Sequence, residues 1–171
     1  MSRGFVKESD QEEAPFIPPR AALPEGTTNY VTPRGLTQLS TERDELEAQR
    51  ATLLAQESDQ ARRELTVVKA KLAQLEPRLA SAQVLTPADV DNDEVRFGAS
   101  ITYALQTGPR AGKPITVTIV GVDEANVRDR RISFLSPIAQ AVTGKRVGDT
   151  VNLNLGADDQ QLKLLAITYA E

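Results

Sequence analysis

The sequence predicts an α+β protein: an antiparallel α-helical coiled-coil hairpin followed by a small antiparallel β-sheet domain with one short helix. Three observations predict it. Apolar seams at three- and four-residue spacing run twice through residues 33–85. A polar break, Gln56-Glu57-Ser58-Asp59-Gln60, separates the two runs and suits a chain reversal. Beyond residue 94 the pattern changes to the alternation of strands, punctuated by glycine-bearing turns.

Residues 1–29 carry Pro15, Pro18, Pro19 and Pro24 and the acidic run Asp10–Glu13, the composition of a flexible extension. The alternative is an arm packing on the body through Phe5, Phe16, Ile17 and Leu23. Residues 30–85 form the hairpin. Thr32-Pro33 opens the first helix, with Thr as N-cap and Pro at the first helical position. Its seam is Leu36, Leu39, Leu46 and Leu53; the second helix answers with Leu65, Val68, Leu72, Leu75, Leu79 and Ala82. Neither helix can bury its seam alone, and the two complement each other within one chain, so a monomer is expected. A coiled-coil adaptor that dimerises through this region is disfavoured by the polar break. Pro77 lacks the backbone donor that Ala73 needs, so a kink or restart is expected there.

Residues 86–94, TPADVDNDE, read as an acidic linker, and residues 95–171 as the sheet domain. Val95-Arg96-Phe97 leads through Gly98 into SITYAL, and ITVTIVGV returns after the loop QTGPRAGK. A charged turn, DEANVRDRR, leads to ISFL. Ser136-Pro137 then opens a short helix, SPIAQAV, ended by Gly144. TVNLNL and QLKLLAITYA close the domain as a hairpin around Gly156-Ala157-Asp158-Asp159.

Composition excludes much chemistry. The 171 residues contain no Cys, no His and no Trp, which removes thiol and imidazole catalysis and nearly all zinc sites. Carboxylates are left as the plausible chemical groups. A formal net charge of −4 disfavours wholesale wrapping of a nucleic acid. Mean hydropathy is −0.34, and no apolar run approaches the ~18 residues of a membrane span. The opening MSRGFVKESDQEE turns acidic where the apolar part of a secretory leader would begin, so a cytoplasmic protein without membrane association is expected.

The ordered segments FGA, IVGVDEA, ISFLSPIAQA and GKRVGD, with the entry YVTPRGLTQL and the helix end LEPRLASAQVL, resemble the GreA/GreB family of bacterial transcription elongation (transcript-cleavage) factors. The likeness covers roughly residues 30–171. It implies a coiled-coil finger joined to an FKBP-like domain. It implies RNA polymerase as partner, with the C-terminal domain docking at the secondary channel and the finger entering it. The matching docking positions are Asp123, Glu124, Ser136, Pro137, Ile138, Ala139 and Lys145, and the loop with Arg128, Arg130 and Arg131 is a further candidate. Tip carboxylates in the family help hold a Mg²⁺ shared with the polymerase site, so the factor assists another enzyme's hydrolysis of backtracked RNA and is not itself an enzyme. No stably bound cofactor is implied.

This chain departs from the family at the tip. Cleavage-competent members carry a loop reading roughly G-D-x-S-E-N-A-x-Y. Here Gln56–Ala61 offers Glu57 and Asp59 in reverse order, without Gly, Asn or Tyr. Either these two are a rewired metal pair, as in a fully active cleavage factor, or they are solvated turn residues. The hairpin is also about fifteen residues shorter, which at about 1.5 Å per residue and shared between two arms removes about 10 Å of reach. The expectation is a short-fingered, channel-binding regulator with little cleavage stimulation, akin to the family's non-cleaving relatives. Arg50, Arg62 and Arg63 are candidates for contact with nascent RNA, although the neighbouring carboxylates suit ion pairing along the helices better. A chaperone or prolyl isomerase is the rival class; a sheet domain with Phe97, Tyr103, Phe134 and Tyr169 as its aromatics makes a poor proline pocket.

Overall fold

The computed structural model describes residues 13–86, 93–156 and 158–170. Phe5, most of the Asp10–Glu13 run, residues 87–92 of the linker and Ala157 of the last turn lie outside them.

Two helices come first, α1 (Pro33–Leu54) and α2 (Asp59–Ser81). Both begin on side-chain caps: Thr32 Oγ1 accepts the Gly35 N–H at 3.0 Å, and Ser58 Oγ accepts the Ala61 N–H at 3.0 Å. The chain turns between them in Ala55–Ser58. Leu39, Leu46 and Leu53 are buried against Ala61, Val68, Leu72 and Leu75, with Leu36, Leu65, Leu79 and Ala82 at the margins of the same cluster. The seams legible in the sequence therefore zip together. Pro77 does not restart the helix: α2 continues to Ser81. Ala73 and Pro77 both lie on the exposed side, where water can satisfy the carbonyl that the proline leaves without a donor.

Two short strands close the base of the hairpin. β1 (Tyr30–Val31) pairs in parallel with β2 (Gln83–Val84), and Asn29 Nδ2 donates to the Arg78 carbonyl at 3.0 Å. Two-residue strands leave no periodicity to read.

The rest is a five-stranded sheet made of β3 (Ala99–Leu105), β4 (Pro114–Val120), β5 (Arg131–Ser133), β6 (Thr150–Leu155) and β7 (Asp158–Tyr169), ordered β5-β4-β3-β7-β6. Helix α3 (Pro137–Val142) buries Ala139 and Val142 in the sheet's core, beside Ile101, Ile119, Leu162 and Leu164. The expected fold class holds, with one refinement. β5 runs parallel to β4, because residues 121–130 leave the sheet and return in the original direction. Val95–Phe97 is not a strand; Val95 is anchored by backbone bonds with Lys145 and Gly144, each 2.8 Å. A register shift between Thr102 and Tyr103 leaves Leu165 as the extra residue of β7, which accounts for its exposure.

Leu75 is fully buried where the seams converge, so Leu75→Ala should cost about 2–5 kcal/mol, read as a lower urea midpoint. Burial pushes the Tyr103 phenol above its ordinary 10.0, and the Arg110 charge opposes the shift without cancelling it. As pH rises past about 10 the unfolded chain loses this proton first, so stability should fall there. Tyr103→Phe should flatten that loss in denaturant melts run across alkaline pH.

Candidate functional site

The two folded parts meet at a buried polar junction. The excursion after β4 carries Asp123 and Glu124 from the sheet to the hairpin base. Asp123 Oδ1 accepts from Arg20 Nε at 2.8 Å and Oδ2 from Arg78 Nη1 at 3.0 Å; its side chain is 8% exposed. Arg20 also forks onto Glu42 of α1 at 2.9 and 2.5 Å, and Arg78 of α2 donates to the Ala21 carbonyl. Two guanidinium groups thus neutralise one carboxylate and tie it to the N-terminal arm and both helices.

Glu124 is more enclosed, with 3% of its side chain exposed. Its Oε1 accepts from the Thr32 hydroxyl at 2.6 Å and from Arg131 of β5. Thr32 is also the cap of α1, so the Gly35 N–H, the Thr32 hydroxyl and the Glu124 carboxylate form one relay. The second oxygen, Oε2, has no hydrogen-bond partner among the described residues and lies against the first turn of α1, where the helix's partial positive charge favours an anion. A Cβ on Gly35 would stand 2.4 Å from that oxygen, and one on Gly121 would stand 2.6 Å from the Tyr30 carbonyl. Both glycines are close-approach positions. Around this centre Tyr30, Phe97 and Phe134 pack with ring centroids 5.7–5.9 Å apart, joining the hairpin base to the sheet.

Asp123 and Glu124, expected on a docking surface, therefore face inward and are engaged with their own chain. Ser136 accepts the Ala139 N–H at 3.3 Å as the cap of α3, and Ala139 is core. Ile138 packs partly against that core, whereas Pro137 and Lys145 are exposed. Glu57 and Asp59 lie at the exposed tip. Asp59 is the first residue of α2, its side chain 82% exposed and 3.5 Å from Arg62. Arg50 lies 2.7 Å from Glu47. Arg63 is also exposed on α2. No group of three or more His, Cys, Asp or Glu suited to a metal occurs among the described residues. The sequence reading missed Arg20, Glu42, Arg78 and the Thr32–Glu124 bond. Arg78 stood within LEPRLAS, but nothing in its spacing pointed to Asp123.

The fold and junction define a two-part protein: a rod of two helices set at a fixed base on a small sheet domain, its carboxylate tip in solvent. The family described as "Transcription elongation factor, GreA/GreB, C-term" matches residues 90–169. The chain is 33% identical over 109 residues to transcription elongation factor GreA of Acidiphilium cryptum, covering 64% of this chain and 68% of that protein. It is 35% identical over 112 residues to GreA of Ralstonia nicotianae, covering 65% and 69%. Among solved structures, "Structure of the transcription factor Gfh1" aligns with 81% of this chain and 96% of that one, at 27% identity and a TM-score of 0.39. The chain belongs to the GreA/GreB family of transcription elongation factors.

Gly35→Ala should test the junction. Alanine favours a helix by about 0.8–1 kcal/mol over glycine, yet here the new Cβ meets a carboxylate held by Thr32 and Arg131. We expect a net loss of about 1–3 kcal/mol. Adding Glu124→Ala should remove the clash, so a double-mutant cycle by thermal melting should show strong non-additivity.

Proposed function

We propose that this chain binds bacterial RNA polymerase at its secondary channel through the sheet domain and lays its hairpin into the channel. We further propose that it gives little or no stimulation of backtracked-RNA cleavage. The tip is the observation that carries this reading. Its residues serve the helix ends: Ser58 caps α2, Asp59 lies beside Arg62, and Gln60 Nε2 donates to Glu64 at 3.0 Å. A Mg²⁺ ligand must stand about 2.0–2.1 Å from the ion, and fingers shortened by about 10 Å cannot recover that by rotamer changes.

In this reading the docking face uses Pro137, Ile138 and Lys145, with Ser136 and Ala139 fixing the shape of α3. Asp123 and Glu124 act from inside, by setting the angle at which the hairpin leaves the domain. Arg50, Arg62 and Arg63 are placed along the finger for contact with RNA extruded into the channel. For Arg50 and Arg62 that contact would compete with Glu47 and Asp59.

A transcript-cleavage assay on backtracked complexes of the cognate polymerase tests the proposal. The chain should bind with little change in cleavage rate, and Glu57→Ala with Asp59→Ala should alter neither binding nor rate. Strong cleavage that the double variant abolishes would make Glu57 and Asp59 a working metal pair and overturn the short-finger reading. The sheet domain's share is read from Pro137→Glu, which should weaken polymerase binding about tenfold if α3 is at the interface.

A further inference from the structure

A groove at the β5 edge of the sheet, lined by residues between Arg110 and Ile132, has the features of a second contact surface. Its floor is aliphatic, formed by Ile115 and Val117 of β4 and Ile132 of β5, and it encloses about 490 Å³. Its rim is basic: Arg110 and Lys113 come from the β3–β4 loop and Arg130 from the turn before β5. Among the described residues no carboxylate lies within ion-pairing distance of these three cations. Asp129, the acid nearest in sequence, already accepts from Asn126 Nδ2 at 3.0 Å.

Val127 also lines the groove and is 90% exposed. Its turn is well fixed. Asn126 Oδ1 accepts the Arg128 N–H at 3.0 Å, Asn126 and Arg131 exchange two backbone bonds of 2.9 Å, and Arg130 takes a left-handed φ of 54°. A rigid turn that presents an aliphatic group to solvent loses little freedom when a partner covers it.

We infer that this groove receives an acidic segment of the polymerase bearing one or two aliphatic side chains, which fill the floor while flanking carboxylates meet Arg110, Lys113 and Arg130. The inference rests on the polymerase reading above and adds a contact to it. Charge complementarity selects an acidic occupant on a chain whose net charge is −4. An aliphatic floor, offering no aromatic face for a base to stack on, selects a protein segment over a nucleic acid.

Binding of the 171-residue chain to cognate RNA polymerase core enzyme, titrated by fluorescence anisotropy, tests this. Val127→Ser should weaken binding several-fold with an unchanged melting temperature, since the side chain is exposed. Arg110→Glu with Lys113→Glu should weaken it by about tenfold or more at low salt, with the gap narrowing as salt is raised. Wild-type binding with both variants within twofold of it would overturn the groove and leave the polymerase reading intact. Failure of the wild type to bind would remove that reading and this inference together. Loss confined to binding of a single-stranded RNA oligonucleotide, or to self-association in sedimentation, would assign the groove to another occupant and overturn the inference.

Discussion

Two adjacent carboxylates buried between the two parts of the molecule govern how those parts stand together. Removing a charge from water is unfavourable unless partners surround it, and Asp123 and Glu124 find theirs on separate segments: the N-terminal arm, the cap of α1, the end of α2 and β5. No one segment satisfies them. The requirement therefore couples elements that would otherwise share a modest aromatic contact among Tyr30, Phe97 and Phe134. Gly35 and Gly121 belong to the same constraint, since each keeps clear the space that a carboxylate or a backbone carbonyl occupies.

The helical half was open to sequence reasoning because its rules are local. Seam spacing, a Thr-Pro start and a polar break give the helices, the first cap and the turn, each decided within a few residues. The strands of the sheet were legible for the same reason, but the direction of β5 was not. Its parallel pairing follows from an excursion whose purpose is tertiary. The junction was hidden more deeply. Asp and Glu are surface residues by default, so VGVDEAN reads as an exposed loop until the neighbours of its side chains are known. Arg20 lies in a Pro-rich stretch that reads as flexible, and its partners are 22 and 103 positions away. Pro77 shows the converse: a local rule predicted a kink or restart, and the helix continues past the proline, which lies on its solvent side.

The motifs that carry the family likeness divide by what they do here. Thr32-Pro33-Arg34-Gly35 and Asp123-Glu124 shape the junction from opposite sides, and Ser136-Pro137-Ile138-Ala139 builds and seats a six-residue helix. Thr32, Gly35, Asp123, Glu124, Ser136 and Ala139 thus act on the scaffold, whereas Pro137 stays exposed. The orientation of the finger and the chemistry at its end are separable features, set by residues that do not touch one another.

The hairpin is also a lever. α1 has 22 residues and is about 33 Å long at about 1.5 Å per residue, so each degree of tilt at its base sweeps the tip through roughly 0.6 Å. A five-degree wobble would move Glu57 by about 3 Å, the difference between touching a target and missing it. Fastening the fulcrum on both helices, with Arg20 holding Glu42 on one and sharing Asp123 with Arg78 from the other, resists tilt in the way two struts brace a mast. Aim at the far end is thus decided by side chains tens of ångströms away from it.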